Sequence, residues 1–228
     1  IRKHDRNLGA FIDVYEEEAR KAASGSDMAR SSGHIIGPLQ GIPVAVKDII
    51  DIEGKITTGG SMLWKDRRST LTATLVRRMV EAGMIVLGKT HTVEFAMGSF
   101  GTNQHMGSPK NPWDLEEHRA TGGSSAGTAA AVAAGLSPWG LGTDTGGSVR
   151  IPSAWCGLTG LKTSVGRIST HGVLPLSHTL DTPGPMCRSV EDAAILYRIL
   201  AGPDEQDSRT VFHPVDCLLY TSDAADDA

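Results

Sequence analysis

The sequence predicts an α/β fold, with helices packed around a central sheet. Three observations carry this. An apolar run, Ile42-Pro-Val-Ala-Val, ends abruptly in Lys47 and reads as a buried strand. Residues 70–82 follow at helical spacing and stop at Gly83. Met84-Ile-Val-Leu87 then reads as a second short strand. Strand, helix and strand in succession are the building unit of a layered α/β domain.

The remaining elements follow in chain order. Between residues 8 and 23, Leu8, Phe11, Ile12, Tyr15, Ala19 and Ala22 recur at helical spacing, which predicts a first helix, followed by a polar break over 24–37. The stretch 103–119 is rich in Asn, Gly and Pro and reads as loop. Thr121-Gly-Gly-Ser-Ser-Ala-Gly127 runs straight into an alanine-rich segment, so a helix starts at or just after this Gly/Ser loop. Pro138-Trp-Gly-Leu141 is a short strand leading into a second loop, Gly142-Thr-Asp-Thr-Gly-Gly-Ser148. Residues 189–200 form a last helix, with Ser189 as N-cap and Asp192 at the capping-box position. Residues 1–216 read as one domain. The stretch 217–228 lacks any helical or strand period and is expected to be a non-native or disordered tail.

Composition narrows the function. The chain has 228 residues, 39% hydrophobic and 21% charged, with a formal charge of −4. That balance gives no basic surface for nucleic acid or an anionic membrane. No apolar stretch approaches the roughly 20 residues of a membrane span. Cys156, Cys187 and Cys217 are too few and too odd for a disulfide framework, which favours a reducing, cytoplasmic setting. Eight histidines are scattered without ligand spacing, so no metal site is expected.

The second Gly/Ser loop can do chemistry. In Asp144-Thr-Gly-Gly-Ser148 the glycines leave backbone N–H groups unobstructed beside a serine, which is what an oxyanion hole needs. The amides of Thr145, Gly146, Gly147 and Ser148 would hold the negative oxygen of a tetrahedral intermediate. A tight structural turn is the other reading of this loop. A serine nucleophile needs a base, and no histidine stands beside either loop in a motif. Lys47, at the end of its apolar run, is the other candidate. Lowering a lysine from about 10.4 to about 7.5 costs roughly 4 kcal/mol, which burial can supply.

Taken together, the residues resemble the amidase signature family. The resemblance rests on Pro43-Val-Ala-Val-Lys-Asp48, on Gly122-Gly-Ser-Ser-Ala-Gly127, on Gly142-Thr-Asp-Thr-Gly-Gly-Ser-Val-Arg-Ile-Pro-Ser153, and on the continuation Trp155-Cys-Gly-Leu-Thr-Gly-Leu-Lys162. The order and spacing of these motifs fit as well, and the likeness covers residues 8–216. It implies a central mixed sheet covered by helices on both faces, with the family's C-terminal part missing. It implies a Ser-cisSer-Lys triad of Ser148 as nucleophile, Ser124 as bridge after a cis bond from Gly123, and Lys47 as base. Asp144 and Arg150 would brace the loop and Ser125 would support by hydrogen bonding. Ala96, Met97 and Ser124 would meet the substrate. The implied reaction is hydrolysis of a small-molecule amide to acid plus ammonia or amine, with no cofactor. Two positions depart from the family pattern: Ala126 after the paired serines, and the absence of a proline in Leu161-Lys-Thr-Ser164.

Three rival readings make different demands. Gly123-Ser-Ser-Ala-Gly127 also matches the nucleophile elbow of an α/β-hydrolase, with Ser125 as nucleophile and His171 or His178 as base; that requires a strand just before it. A phosphate-binding module would need a Gly-Lys-Ser/Thr ending that neither loop has. The third rival shares the chemistry. The family includes the glutamine-hydrolysing component of aspartyl/glutamyl-tRNA amidotransferase, whose partners would be the other components of that complex. Otherwise a homo-oligomer is compatible with the sequence.

Overall fold

The computed structural model describes residues 1–211. The proposed tail at 217–228, His213 and Cys217 lie outside the described residues. The chain opens with one helical turn, α1 (Asp5–Leu8), then β1 (Phe11–Val14) and the long helix α2 (Glu16–Ser31). The single helix expected over 8–23 is therefore replaced by a strand and a later helix. Phe11, Asp13 and Val14 lie opposite Thr90, Lys89 and Gly88, so strand pairing takes the backbone groups that a helix would have satisfied internally. The expected break at 24–37 is also later. α2 runs through Ser24-Gly25-Ser26 because Ser26 is buried there and its carbonyl accepts from Gln40 Nε2 at 2.9 Å.

The centre follows the predicted order with shifted ends. β2 (Pro43–Lys47) leads to α3 (Thr74–Glu81) and β3 (Ile85–Thr90). Gly83, at φ 89, turns the chain out of α3, a conformation that glycine adopts without a steric penalty. α4 (Ala126–Ala133) follows the first Gly/Ser loop, and β4 (Trp139–Asp144) runs three residues beyond the predicted 138–141. No sequence signal announces α5 (Arg150–Cys156), β5 (Thr159–Gly160) or β6 (Thr182–Cys187). Two prolines in β6 argue against an interior strand. They are tolerated because β5 pairs only with Met186 and Cys187, leaving one flank of Pro183 free of a ladder. α6 (Val190–Leu200) closes the described fold, and Ser189 Oγ accepts from Asp192 N at 3.1 Å as expected of its N-cap.

The six strands form one mixed sheet in the order β1-β3-β2-β4-β6-β5. β2 is parallel to β3 and β4, while the pairs at the two sides are antiparallel. Alternation along β2 sorts the helices onto two faces. Val44 and Val46 join a core with Leu75, Met79, Leu196 and Leu200 of α3 and α6. Ala45 faces the other way, against Ala130 and Ala131 of α4. Each fully buried Leu or Met in the larger core contributes roughly 1.5–3 kcal/mol. The alanine face is thin. A Cβ on Gly140 would lie 2.4 Å from Thr128 Cγ2, so α4 rests almost directly on the sheet backbone.

Candidate active site

The end of β2 and two Gly/Ser loops build the site, one loop before α4 and one after β4. β2 ends in Lys47, whose side chain is fully buried. Its Nζ lies 2.7 Å from Ser124 Oγ and 2.9 Å from Thr143 Oγ1. Burial pushes the Lys47 pKa down from 10.5 to about 7, against the opposing pull of the Asp144 and Asp181 carboxylates. A lysine so placed holds a usable lone pair near neutral pH.

A second buried lysine makes the contrast plain. Lys89 Nζ lies 2.8 Å from Asp48 Oδ1 and donates to Thr57 Oγ1 at 2.9 Å. The Asp48 carboxylate also accepts from Thr58 N at 3.0 Å. Lys89 is thus committed to an ion pair, whereas the hydrogen-bond partners of Lys47 are hydroxyls.

The first Gly/Ser loop delivers Ser124 to the lysine. The Gly123–Ser124 peptide bond is cis. Ser124 and Ser125 are both fully buried. The Ser124 carbonyl accepts from Val93 N at 3.2 Å. Ser125 Oγ lies 3.3 Å from both the carbonyl and the N–H of Thr143, donating to one and accepting from the other. That hydroxyl clamps α4 to β4. No strand precedes Ser125 closely, since β3 ends at Thr90, and His178 is exposed. The elbow reading therefore lacks the strand it requires.

The second loop carries Ser148. Its carbonyl accepts from Ser125 N at 3.2 Å, which joins the two Gly/Ser loops. Unlike Ser124 and Ser125, Ser148 is partly exposed, and its Oγ makes no hydrogen bond among the described residues. Asp144 organises the backbone around it. Its carboxylate accepts from Gly147 N at 2.8 Å, Val149 N at 3.1 Å and Arg150 N at 3.2 Å. Arg150 Nε and Nη2 add bonds at 3.0 and 2.9 Å. Burial opposes ionisation of Asp144, but Arg150 and these amides outweigh it and hold the carboxyl below its usual range. Of the four amides expected to face an oxyanion, that of Gly147 donates to Asp144, while those of Thr145, Gly146 and Ser148 make no hydrogen bond among the described residues.

The two acyl-pocket candidates separate. Ala96 is buried and lines a small cavity with Thr143, Thr145, Leu174, Leu176 and Asp181. Met97 is 71% exposed and does not line it. The backbone turns there through two consecutive left-handed residues, Phe95 at φ 47 and Ala96 at φ 61, an unfavourable conformation for residues with a Cβ. Phe95 is held by an edge-to-face contact with Trp64 at 5.0 Å and by its N–H to Gly59 O at 2.7 Å. Sequence reasoning missed Thr143 and Asp181. Thr143 reads as an ordinary strand residue, and Asp181 stands alone between a loop and Pro183, so neither has a local signature.

Comparison with known proteins agrees with this geometry. The sequence model described as Amidase matches residues 1–224. The A subunit of glutamyl-tRNA(Gln) amidotransferase from Cupriavidus necator is 47% identical over 204 residues, covering 90% of this chain and 40% of that protein. The solved structure of its counterpart from Thermotoga maritima superposes with a TM-score of 0.82 at 41% identity, covering 93% of this chain and 44% of that one. The peptide amidase of Stenotrophomonas maltophilia superposes at 0.84 with 40% identity, covering 92% and 43%. The chain thus spans less than half the length of these relatives.

Proposed function

Because the chain belongs to the amidase family, we propose that it carries the catalytic centre of an amide hydrolase that works through a Ser148 acyl-enzyme. The observation that carries this reading is Lys47, fully buried with its Nζ 2.7 Å from a buried serine hydroxyl. As Ser148 Oγ attacks the amide carbonyl, its proton moves to Ser124 Oγ, and the proton of Ser124 moves to the neutral amine of Lys47. The carbonyl π pair moves to oxygen, and the N–H groups of Thr145, Gly146 and Ser148 hold the negative charge. The tetrahedral intermediate collapses, the C–N bond breaks, and the proton on Lys47 returns through Ser124 to the leaving nitrogen. Water then enters, gives up its proton along the same relay, and releases the acid and Ser148. Ala96 would line the acyl side of the pocket, with Met97 at its outer rim.

A second reading concerns the amide consumed. The curated relatives at 42–48% identity are named as A subunits of an amidotransferase, which favours glutamine as substrate and a complex as the setting. The two readings separate by measuring ammonia release from glutamine and from simple amides, with and without the partner proteins of such a complex. Glutamine hydrolysis that rises with partners present supports the amidotransferase component. Turnover of simple amides by the protein alone supports the stand-alone amidase. Full activity in Ser148→Ala would overturn both.

A further inference from the structure

We propose that Asp181 is a positioning residue for this centre: its carboxylate fixes the Thr145 end of the oxyanion loop and favours the ammonium that forms on Lys47 as Ser148 attacks. The inference rests on the acyl-enzyme reading above. Asp181 is buried, at 7% exposure, immediately before β6. Its Oδ1 accepts from Thr145 Oγ1 at 2.5 Å. Its Oδ2 accepts from Leu176 N at 2.8 Å and Ser177 N at 2.9 Å. One carboxylate therefore ties the loop after β4 to the segment that, with Ala96, walls the small cavity.

The other end of the loop is tied separately. Asp144 takes the N–H groups of Gly147, Val149 and Arg150, and Thr182 Oγ1 donates to the Asp144 carbonyl at 3.0 Å. Between these two anchors lie Thr145 and Gly146, whose amides would hold the oxyanion under the acyl-enzyme reading. A shift of an ångström in such donors is costly in rate, so the Thr145 anchor bears on kcat.

The charge argument is separate from the anchor. From β4 comes Asp144, paired with Arg150 of α5 and still the larger of the two carboxylate pulls on Lys47. From β3 comes Lys89, neutralised by Asp48. The start of α4 brings only Ser124 and Ser125. Asp181 makes no ion pair among the described residues, so its charge adds, unpaired, to the larger pull that Asp144 exerts on Lys47. Its effect on Lys47 is to raise the pKa, opposing burial.

The test uses the full-length protein and three variants beside wild type. Asp181→Asn keeps the shape and removes the charge. Thr145→Val keeps the charge and removes the hydroxyl. Thr145→Ser restores the hydroxyl. For Asp181→Asn, kcat is expected to fall roughly tenfold with KM within about twofold. The acid limb of kcat/KM should move to lower pH, because the Lys47 ammonium has lost a stabilising charge. Thr145→Val should lower kcat by a similar factor and leave the acid limb in place, and Thr145→Ser should recover most of it. Wild-type kcat with an unmoved acid limb in Asp181→Asn overturns the proposal. If Asp181→Asn does not fold, wild-type kcat in Thr145→Val overturns it instead. Ser148→Ala run in parallel keeps the two levels apart: activity there removes the acyl-enzyme reading itself, whatever Asp181 does.

Discussion

Lys47 Nζ meets Ser124 Oγ at 2.7 Å across 77 residues of chain. Two things make the contact. β2 ends in Lys47, and α4 begins just after the first Gly/Ser loop that carries Ser124. The lysine is buried on hydroxyls alone, while its neighbour one strand over, Lys89, is buried on a carboxylate. Two lysines of equal burial thus have different partners: hydroxyls for one, a carboxylate and a hydroxyl for the other.

Serine replacement gives the sharpest separation of roles. Ser148→Ala and Ser124→Ala should each lower kcat by on the order of a thousandfold or more, as removal of members of a relay does. Ser125→Ala should act mainly on stability, by about 1–3 kcal/mol, since its hydroxyl is bonded to both backbone groups of Thr143. Steady-state kinetics paired with denaturant unfolding reads both; a Ser125→Ala protein as dead as Ser148→Ala would reverse the assignment.

The pH dependence follows from Lys47. Its pKa in the fold is lowered from 10.5 to about 7, so kcat/KM should rise with pH through about 7 as the amine loses its proton. Stability carries the same signature. Between about 7 and 10.5 the unfolded lysine binds a proton that the folded one does not, so stability should climb with pH across that window. Lys47→Met should be inactive yet more stable than wild type at pH 6, by at most roughly 5 kcal/mol, with the advantage shrinking towards pH 10. Melting curves at pH 6 and pH 9 that differ equally for both proteins would contradict the buried-base assignment.

Glycine replacements in β4 and in the loop after it should diverge. A Cβ on Gly146 would meet nothing within 4 Å, whereas one on Gly142 would lie 2.7 Å from Ser125 Oγ and 2.9 Å from Met186 Sδ. Gly146→Ala should therefore melt within a degree or two of wild type, while its methyl crowds the space where substrate must sit and lowers kcat/KM. Gly142→Ala should lose about 1–3 kcal/mol of stability through overpacking. Thermal melts of the two variants, compared with their kcat/KM, check the divergence.

Breaking the fixed pair should be costly in a different way. Lys89→Met leaves the Asp48 carboxylate buried without its cation and is expected to destabilise by about 3–5 kcal/mol. Adding Asp48→Asn should recover part of that loss. A double variant no more stable than Lys89→Met alone would show that the pair does not act as a unit.

Much of this centre could be read from the chain itself, and the unread parts share a cause. Lys47, Ser124 and Ser148 stand in motifs with their own local composition; Lys47 Nζ lies 2.7 Å from Ser124 Oγ, and the Ser148 carbonyl accepts from Ser125 N at 3.2 Å. The strand-helix-strand core was equally legible, because β2 and β3 open on short apolar runs and α3 buries one face. β1 was not, since Phe11, Ile12 and Tyr15 fit a helical period as well as a strand; the choice was made by pairing with β3, which is remote in sequence. β6 was hidden by its prolines. Asp181, Thr143 and the loss of the Gly147 amide depend on which groups meet in space, and no local pattern encodes them.

The alanine-rich helix α4 has a consequence for any effort to change what this protein acts on. Enlarging a pocket by mutagenesis works by trimming bulky side chains, and α4 offers almost none: all its residues but the last are buried, and they are Ala, Gly, Thr and Val. Additions are barred too, since Gly127 would drive a methyl to within 2.3 Å of the Ala10 carbonyl. A library spread evenly over the chain would waste its members there. Diversity is better placed in the segments at 94–98 and 170–181, where side chains border open space and the serines are left where they are.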